Sequence, residues 1–170
     1  MWRTPDIDRT PFPAGGDERA LLLAWLDHKR ETFLFKISGL TEQQLKTANA
    51  EPSTLTLHGL LRHMADNERW IRRLFTGGPD DDCFFTDDNP DAAFTDLSGA
   101  DPEADYGVLL AEMDHVRAAL PTRDLDEAVV DEDGDKMTLR VAVLHVLEEY
   151  SRHTGHADLI RQRLDGAVGH

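Results

Sequence analysis

A single cysteine, Cys83, leaves the 170-residue chain without an intrachain disulfide, which fits a reducing, cytoplasmic setting. Lysine is scarce too. Arginine supplies most of the 18 basic residues, and 33 acids outnumber these to give a formal net charge of -15. That excess excludes a general phosphate-backbone binder, which needs a basic face. It also opposes docking on anionic membrane, so neither nucleic acid nor membrane is expected as a partner. No apolar run reaches the roughly eighteen residues of a membrane helix. The opening Met1-Trp2-Arg3-Thr4-Pro5-Asp6 lacks the charged start and apolar stretch of a signal peptide. The Walker, dinucleotide-binding and nucleophile-elbow motifs are all missing, so neither nucleotide-dependent chemistry nor an α/β-hydrolase mechanism has support.

What is present is a globular composition, 40% hydrophobic and 30% charged, at a length suited to one domain over residues 1–170. Residues 1–16, with Pro5, Pro11, Pro13, Gly15 and Gly16, read as an extended arm. Asp17 then caps a helix over 17–39, with Leu22, Leu26, Phe33, Ile37 and Leu40 at helical spacing. Thr41 and Gln44 have the spacing of a capping box. Ser53 is the candidate cap of a second long helix, 54–76. Its stripe is Leu57, Leu60, Leu61, Met64, Ile71, Leu74 and Phe75, and Gly77-Gly78-Pro79 ends it. Residues 78–101 form a long acidic loop without lysine or arginine. Asp80-Asp81-Asp82 and Asp87-Asp88 do not match the alternating calcium-loop pattern, so a solvated face pinned by Phe84, Phe85 and Phe94 is expected. A third helix fits 102–119, a short hairpin fits 122–137, and Thr138 caps a last helix over 139–165. No repeat is present. Four main helices imply an all-α four-helix bundle.

The last helix carries the chemistry. At 100° per residue, His145, His153 and His156 fall within roughly 60° of Glu149, as do Ala142, Val146, Ile160 and Leu164. An arc rich in aliphatic side chains should face the interior. A buried, unpaired carboxylate costs several kcal/mol, and a divalent metal would neutralise it. Glu149 and His153, at i and i+4, can reach one ion, and bundle interiors build metal sites from facing helices. His63, on the flank of the second helix's stripe, is a candidate third ligand. Spacing alone supports a structural histidine equally, and a metal-free Glu–His hydrogen-bond network stays open. His145 could replace His153 as the i,i+4 partner of Glu149.

Glu148-Glu149-Tyr150-Ser151-Arg152-His153-Thr154-Gly155-His156-Ala157-Asp158-Leu159 resembles the signature of the DinB/YfiT-like superfamily. The resemblance extends to Arg161–Gly166, to Leu61-Arg62-His63-Met64-Ala65-Asp66-Asn67-Glu68-Arg69-Trp70 and to the first helix. It is greatest toward a branch containing mycothiol-dependent thiol transferases. The acidic loop and residues 122–137 carry little of it. The resemblance implies a DinB-like four-helix bundle whose metal is held by His63, Glu149 and His153, and it disfavours the His145 alternative. Many relatives have histidine at the Glu149 position, and glutamate there favours the mycothiol side. His156 stands where many relatives carry glutamine and is read as a neighbour of the ligands or a proton-handling, substrate-facing residue.

Tyr150 is expected to pack, and Glu68 and Asp66 to pair with Arg62 or Arg69. His58 is expected to face solvent, and His28, His115 and His170 to lie on the surface. Cys83 displays no base partner for a nucleophilic role. Three protein ligands with an open position make a catalytic pattern. Zinc suits them best, with nickel, iron or manganese also accommodated. The leading expectation is a metal-dependent S-transferase joining a low-molecular-weight thiol, such as mycothiol, to an electrophilic small molecule. A metal-dependent hydrolase using hydroxide and a non-enzymatic metal-binding stress-response protein are the alternatives. A homodimer is compatible with the sequence.

Overall fold

The computed structural model describes residues 2–77, 83–130 and 134–169. Asp80–Asp82, the Asp131–Asp133 turn and His170 therefore lie outside the described residues. The structure is mostly helical. Helix α1, Glu18–Ile37, opens where Asp17 accepts the Ala20 amide at 2.9 Å. Helix α2, Glu42–Leu45, carries the Thr41/Gln44 capping box. Helix α3 runs over Leu57–Phe75. It starts later than position 54 because Thr56, not Ser53, receives the first-turn amide, from Gly59 at 3.0 Å. Ser53 instead accepts from Leu55 in the preceding turn.

A one-turn helix, α4 (Ala92–Thr95), interrupts the acidic loop. Helix α5, Pro102–Ala119, has Asp101 as cap and proline in its first turn, where the missing N–H would have no helical partner. The strands β1 (Ala128–Val130) and β2 (Lys136–Thr138) pair antiparallel, with Val129 opposite Met137. Helix α6, Leu139–Asp165, is capped by Thr138 and stopped at Gly166, whose φ of 78° suits a residue without Cβ. The expected bounds of α5 and α6 match the structure; the expected hairpin is present but shorter, starting at Ala128 and ending at Thr138.

Helix α1 packs on α6, and α3 lies against α5, α6 and α4. Leu26, Phe33, Leu60, Met64, Val146 and Ile160 fill the space between them. The arm is extended, as expected, and is tied down: Thr4 donates its amide to Leu40 and accepts from Gly39.

Two buried ion networks cross-link the helices. Arg30 of α1 makes a two-pronged contact with Glu68 of α3, at 2.7 and 2.6 Å, and the Tyr150 hydroxyl of α6 donates to Glu68 at 2.8 Å. Arg69 and Arg72 of α3 both bond to Glu112 of α5. Glu68 thus pairs with Arg30, not with Arg62 or Arg69, because its side chain points to the α1 and α6 side of α3. Tyr150 packs as expected and also bonds. Asp66 does pair with Arg69, at 3.1 Å.

His58 corrects an expectation more sharply. It is fully buried, with Nε2 2.7 Å from Asp105. The solvent-facing assignment followed from one apolar stripe, whereas α3 is covered on several sides. His115 is exposed. His28 is half-buried, with Nδ1 3.0 Å from the Thr10 carbonyl.

Candidate metal centre

Helix α3 offers His63, and α6 offers Glu149 and His153 one turn apart. The Glu68–Tyr150 bond joins the same two helices, since Tyr150 follows Glu149 directly. It fixes the face that α6 turns toward α3. His63 Nε2 lies 2.9 Å from Glu149 Oε2, and His153 Nε2 lies 3.3 Å from the same oxygen. One donor atom from each of the three residues falls within 4.8 Å of the others. Ligands about 2.0–2.1 Å from a tetrahedral zinc stand roughly 3.3 Å apart, so this donor set fits such an ion. Among the described residues no fourth histidine, cysteine or carboxylate joins the group.

Burial and charge set the protonation of the group. Desolvation, aided by the neighbouring His63 ring, pushes the His153 imidazole down to about 4, against the opposing pull of Glu149. His153 is therefore neutral at physiological pH, the form that ligates. Burial alone would raise the Glu149 carboxyl, but the His63 hydrogen bond, then the Glu148 side chain and the His153 ring, outweigh it, and the net shift is downward. Arg152 reaches Glu149 only at 3.5 Å from an exposed position, where an ion pair contributes little.

The surroundings orient these groups. His156 Nδ1 is 3.2 Å from His153 Nδ1, on the ring edge away from Glu149. Asn67 Nδ2 lies 3.1 Å from His63 Nε2 and donates to the His63 carbonyl at 3.0 Å. Phe94 of α4 lies over His63, with centroids 4.9 Å apart. Its approach requires Gly59, since a Cβ there would stand 3.1 Å from the Phe94 Cα. The Asp66 carboxylate accepts the Phe84 and Phe85 amides at 2.9–3.2 Å, seating the loop beside the site.

The structure brings His63, Glu149 and His153 together and separates His145 from them. His145 is exposed and packs edge-on against Trp70, at 5.0 Å. The helical arc treated α6 as covered along its length, whereas the α3–α6 interface opens there into a cavity. Phe84 and Phe94 pack against the core, but Phe85 is 42% exposed, so it does not pin the loop as expected. Cys83 is half-buried, its sulfur accepts from Arg73 at 3.4 Å, and burial pushes its thiol pKa up. Arg73 and Arg69 pull the thiol pKa the other way, but burial outweighs them, and the net shift is away from an activated thiolate. Asn67 was missed as a site residue, although its place one turn after His63 was the available signal.

The family model of the mycothiol-S-transferases matches residues 21–166. The chain belongs to that family. The match runs from the first turn of α1 through α6, and therefore over the whole His63–Glu149–His153 group. No curated protein matches the chain. Among the described residues, no helix is long and apolar enough to cross a membrane.

Proposed function

We propose that this member of the mycothiol-S-transferase family is a metal-dependent thiol S-transferase. It joins a low-molecular-weight thiol, of which mycothiol is the family's own example, to an electrophilic small molecule in the cytoplasm. The four long helices are read as one DinB-like four-helix bundle over residues 1–170. The observation that carries the metal reading is the convergence of His63 Nε2, His153 Nε2 and Glu149 Oε2 from two helices.

A divalent cation held by these residues, zinc being best suited, supplies a positive centre that favours thiolate over thiol. The chain's own groups set the conditions for that chemistry. Two neutral imidazoles and one carboxylate leave the centre with a single net positive charge, which one anion balances. His153 needs no deprotonation at neutral pH because burial has already removed its proton. His156 faces the second nitrogen of His153 and so can hold the ring's angle. Asn67 is held beside His63 Nε2 by its bond to the His63 carbonyl. With three protein donors, a coordination position stays open for a reactant, which favours a catalytic over a purely structural centre. A low thiol pKa also lowers nucleophilicity, so holding the electrophile close must supply part of the rate.

The test is single-turnover conjugation followed across pH, with zinc-loaded and chelated protein. The zinc-loaded protein should move the rate profile to lower pH, and His153→Ala should lose that move. Identical profiles for loaded and chelated protein would reject the transferase reading.

A further inference from the structure

Beside the triad lies a cavity of about 210 Å³, open on one side, between α3, α6 and the loop that carries α4. His63 belongs both to its wall and to the triad, so whatever enters sits against the proposed centre. Three features of the lining define the occupant.

Its size comes first. An enclosed cavity of about 150 Å³ holds benzene, so this space has room for a single substituted ring. The thiol's bulky remainder must stay outside.

The walls come second. Trp70, Phe85, Pro90 and Ala93 present aromatic and apolar surface, and His145 stands edge-on to Trp70. A flat ring gains from such a wall beyond its buried area.

Charge is third. Among the described residues the lining contains no lysine or arginine. The described stretch from Cys83 to Glu103 has none either and is rich in aspartate. The one carboxylate in the wall, Asp66, is turned to Arg69 and to the Phe84 and Phe85 amides. Apart from the proposed centre, whose charge the thiolate takes up, the wall offers no cationic lysine or arginine to balance an anion, and the aspartates of the described loop repel one.

We propose that this cavity is the electrophile site and takes one neutral aromatic ring, with Trp70 as its principal recognition residue. The assignment rests on the transferase reading for its reaction but not for its binding. In that reaction the thiol sulfur supplies an electron pair to a benzylic carbon. The S–C bond forms as the carbon–halogen bond breaks, halide leaves with its pair, and the thiol proton passes to solvent.

The experiment, run on chelated protein so that a carboxylate cannot ligate the centre, compares two non-reactive probes with the same ring, 4-nitrobenzyl alcohol and the anion 4-nitrobenzoate. Binding is followed by isothermal titration calorimetry in wild type, Trp70→Leu, Phe85→Ala and Phe85→Arg, each checked for helical CD. Phe85 is 42% exposed, so its variants should fold even if Trp70→Leu does not. The alcohol should bind saturably, with the anion binding about tenfold or more weakly. Trp70→Leu should weaken the alcohol about tenfold, and Phe85→Ala about threefold. Phe85→Arg, which adds a cation at the rim, should bring the anion level with the alcohol. Equal or tighter binding of the anion to wild type overturns the proposal. So does alcohol binding unaffected by both Trp70→Leu and Phe85→Ala.

A parallel assay of thiol conjugation to 4-nitrobenzyl chloride separates the two readings. Selective probe binding without conjugation upholds the cavity and rejects the transferase. Conjugation without probe selectivity upholds the transferase and rejects this assignment.

Discussion

Replacing Glu68 with glutamine keeps the side chain's shape and removes its charge. In the folded protein Glu68 is fully buried, Arg30 is 2% exposed, and the two share bonds of 2.7 and 2.6 Å. The variant leaves the Arg30 guanidinium buried without its main counter-charge. Breaking one side of such a pair costs about 3–5 kcal/mol. Two residual contacts lower that figure. Arg30 still bonds to Asp27 at 2.9 Å, and the amide oxygen can still accept from Tyr150. The expected loss is therefore about 2–4 kcal/mol, or roughly 4–16 °C in Tm at 2–4 °C per kcal/mol for a chain of this size. Urea unfolding of the chelated protein, followed by CD, reads it without metal linkage. Tyr150→Phe removes only one hydrogen bond to the carboxylate and should lose about 1–2 kcal/mol. The double variant Arg30→Met/Glu68→Leu removes both charges and should be more stable than Glu68→Gln. A Glu68→Gln protein within 0.5 kcal/mol of wild type, or a double variant below it, would refute the reasoning.

Acid should destabilise the chelated protein through His153. Its folded pKa, about 4, lies below the ordinary 6.5, so its contribution is fully present above pH 6.5 and is lost as pH falls from 6.5 to 4. On the order of 2 kcal/mol should disappear in that window, and His153→Phe should flatten the loss in urea titrations. Gly59→Ala should push Phe94 and α4 outward at a cost of about 1–3 kcal/mol, and accelerate maleimide labelling of the half-buried Cys83. An unchanged labelling rate would show that the 3.1 Å approach to Phe94 is not holding the loop. His156→Phe should weaken zinc binding about tenfold without abolishing it, as competition with a fluorescent chelator would reveal. Complete loss would make His156 a ligand.

Local signals carried the long helices. Asp17, Thr138 and Gly166 marked their ends, and apolar spacing set their inward faces. The i,i+4 pair on α6 was visible for the same reason, since both side chains share one face of one element. The errors arose where the answer lay between elements. Glu68 meets Arg30 across 38 residues of sequence, and no local rule favours that partner over the nearby Arg62 or Arg69. His58 looked exposed because coverage by α5 cannot be read from the stripe of α3 alone. His145 shares the angular arc of Glu149, but an arc does not reveal where a neighbouring helix stops covering it. The one-turn α4 is too short to show periodicity, and its seat depends on Gly59 and Asp66, far from it in the chain. Asn67 was hidden for a simpler reason: an amide carries no charge pattern to flag it.

Zinc stoichiometry measured on untagged protein tests the central assignment most directly. Wild type should bind one zinc per chain. His63→Ala, Glu149→Ala and His153→Ala should each lose most of it while keeping their helical CD, and His28→Ala and His115→Ala should retain it. Full occupancy in the folded His63→Ala protein would contradict the three-residue centre.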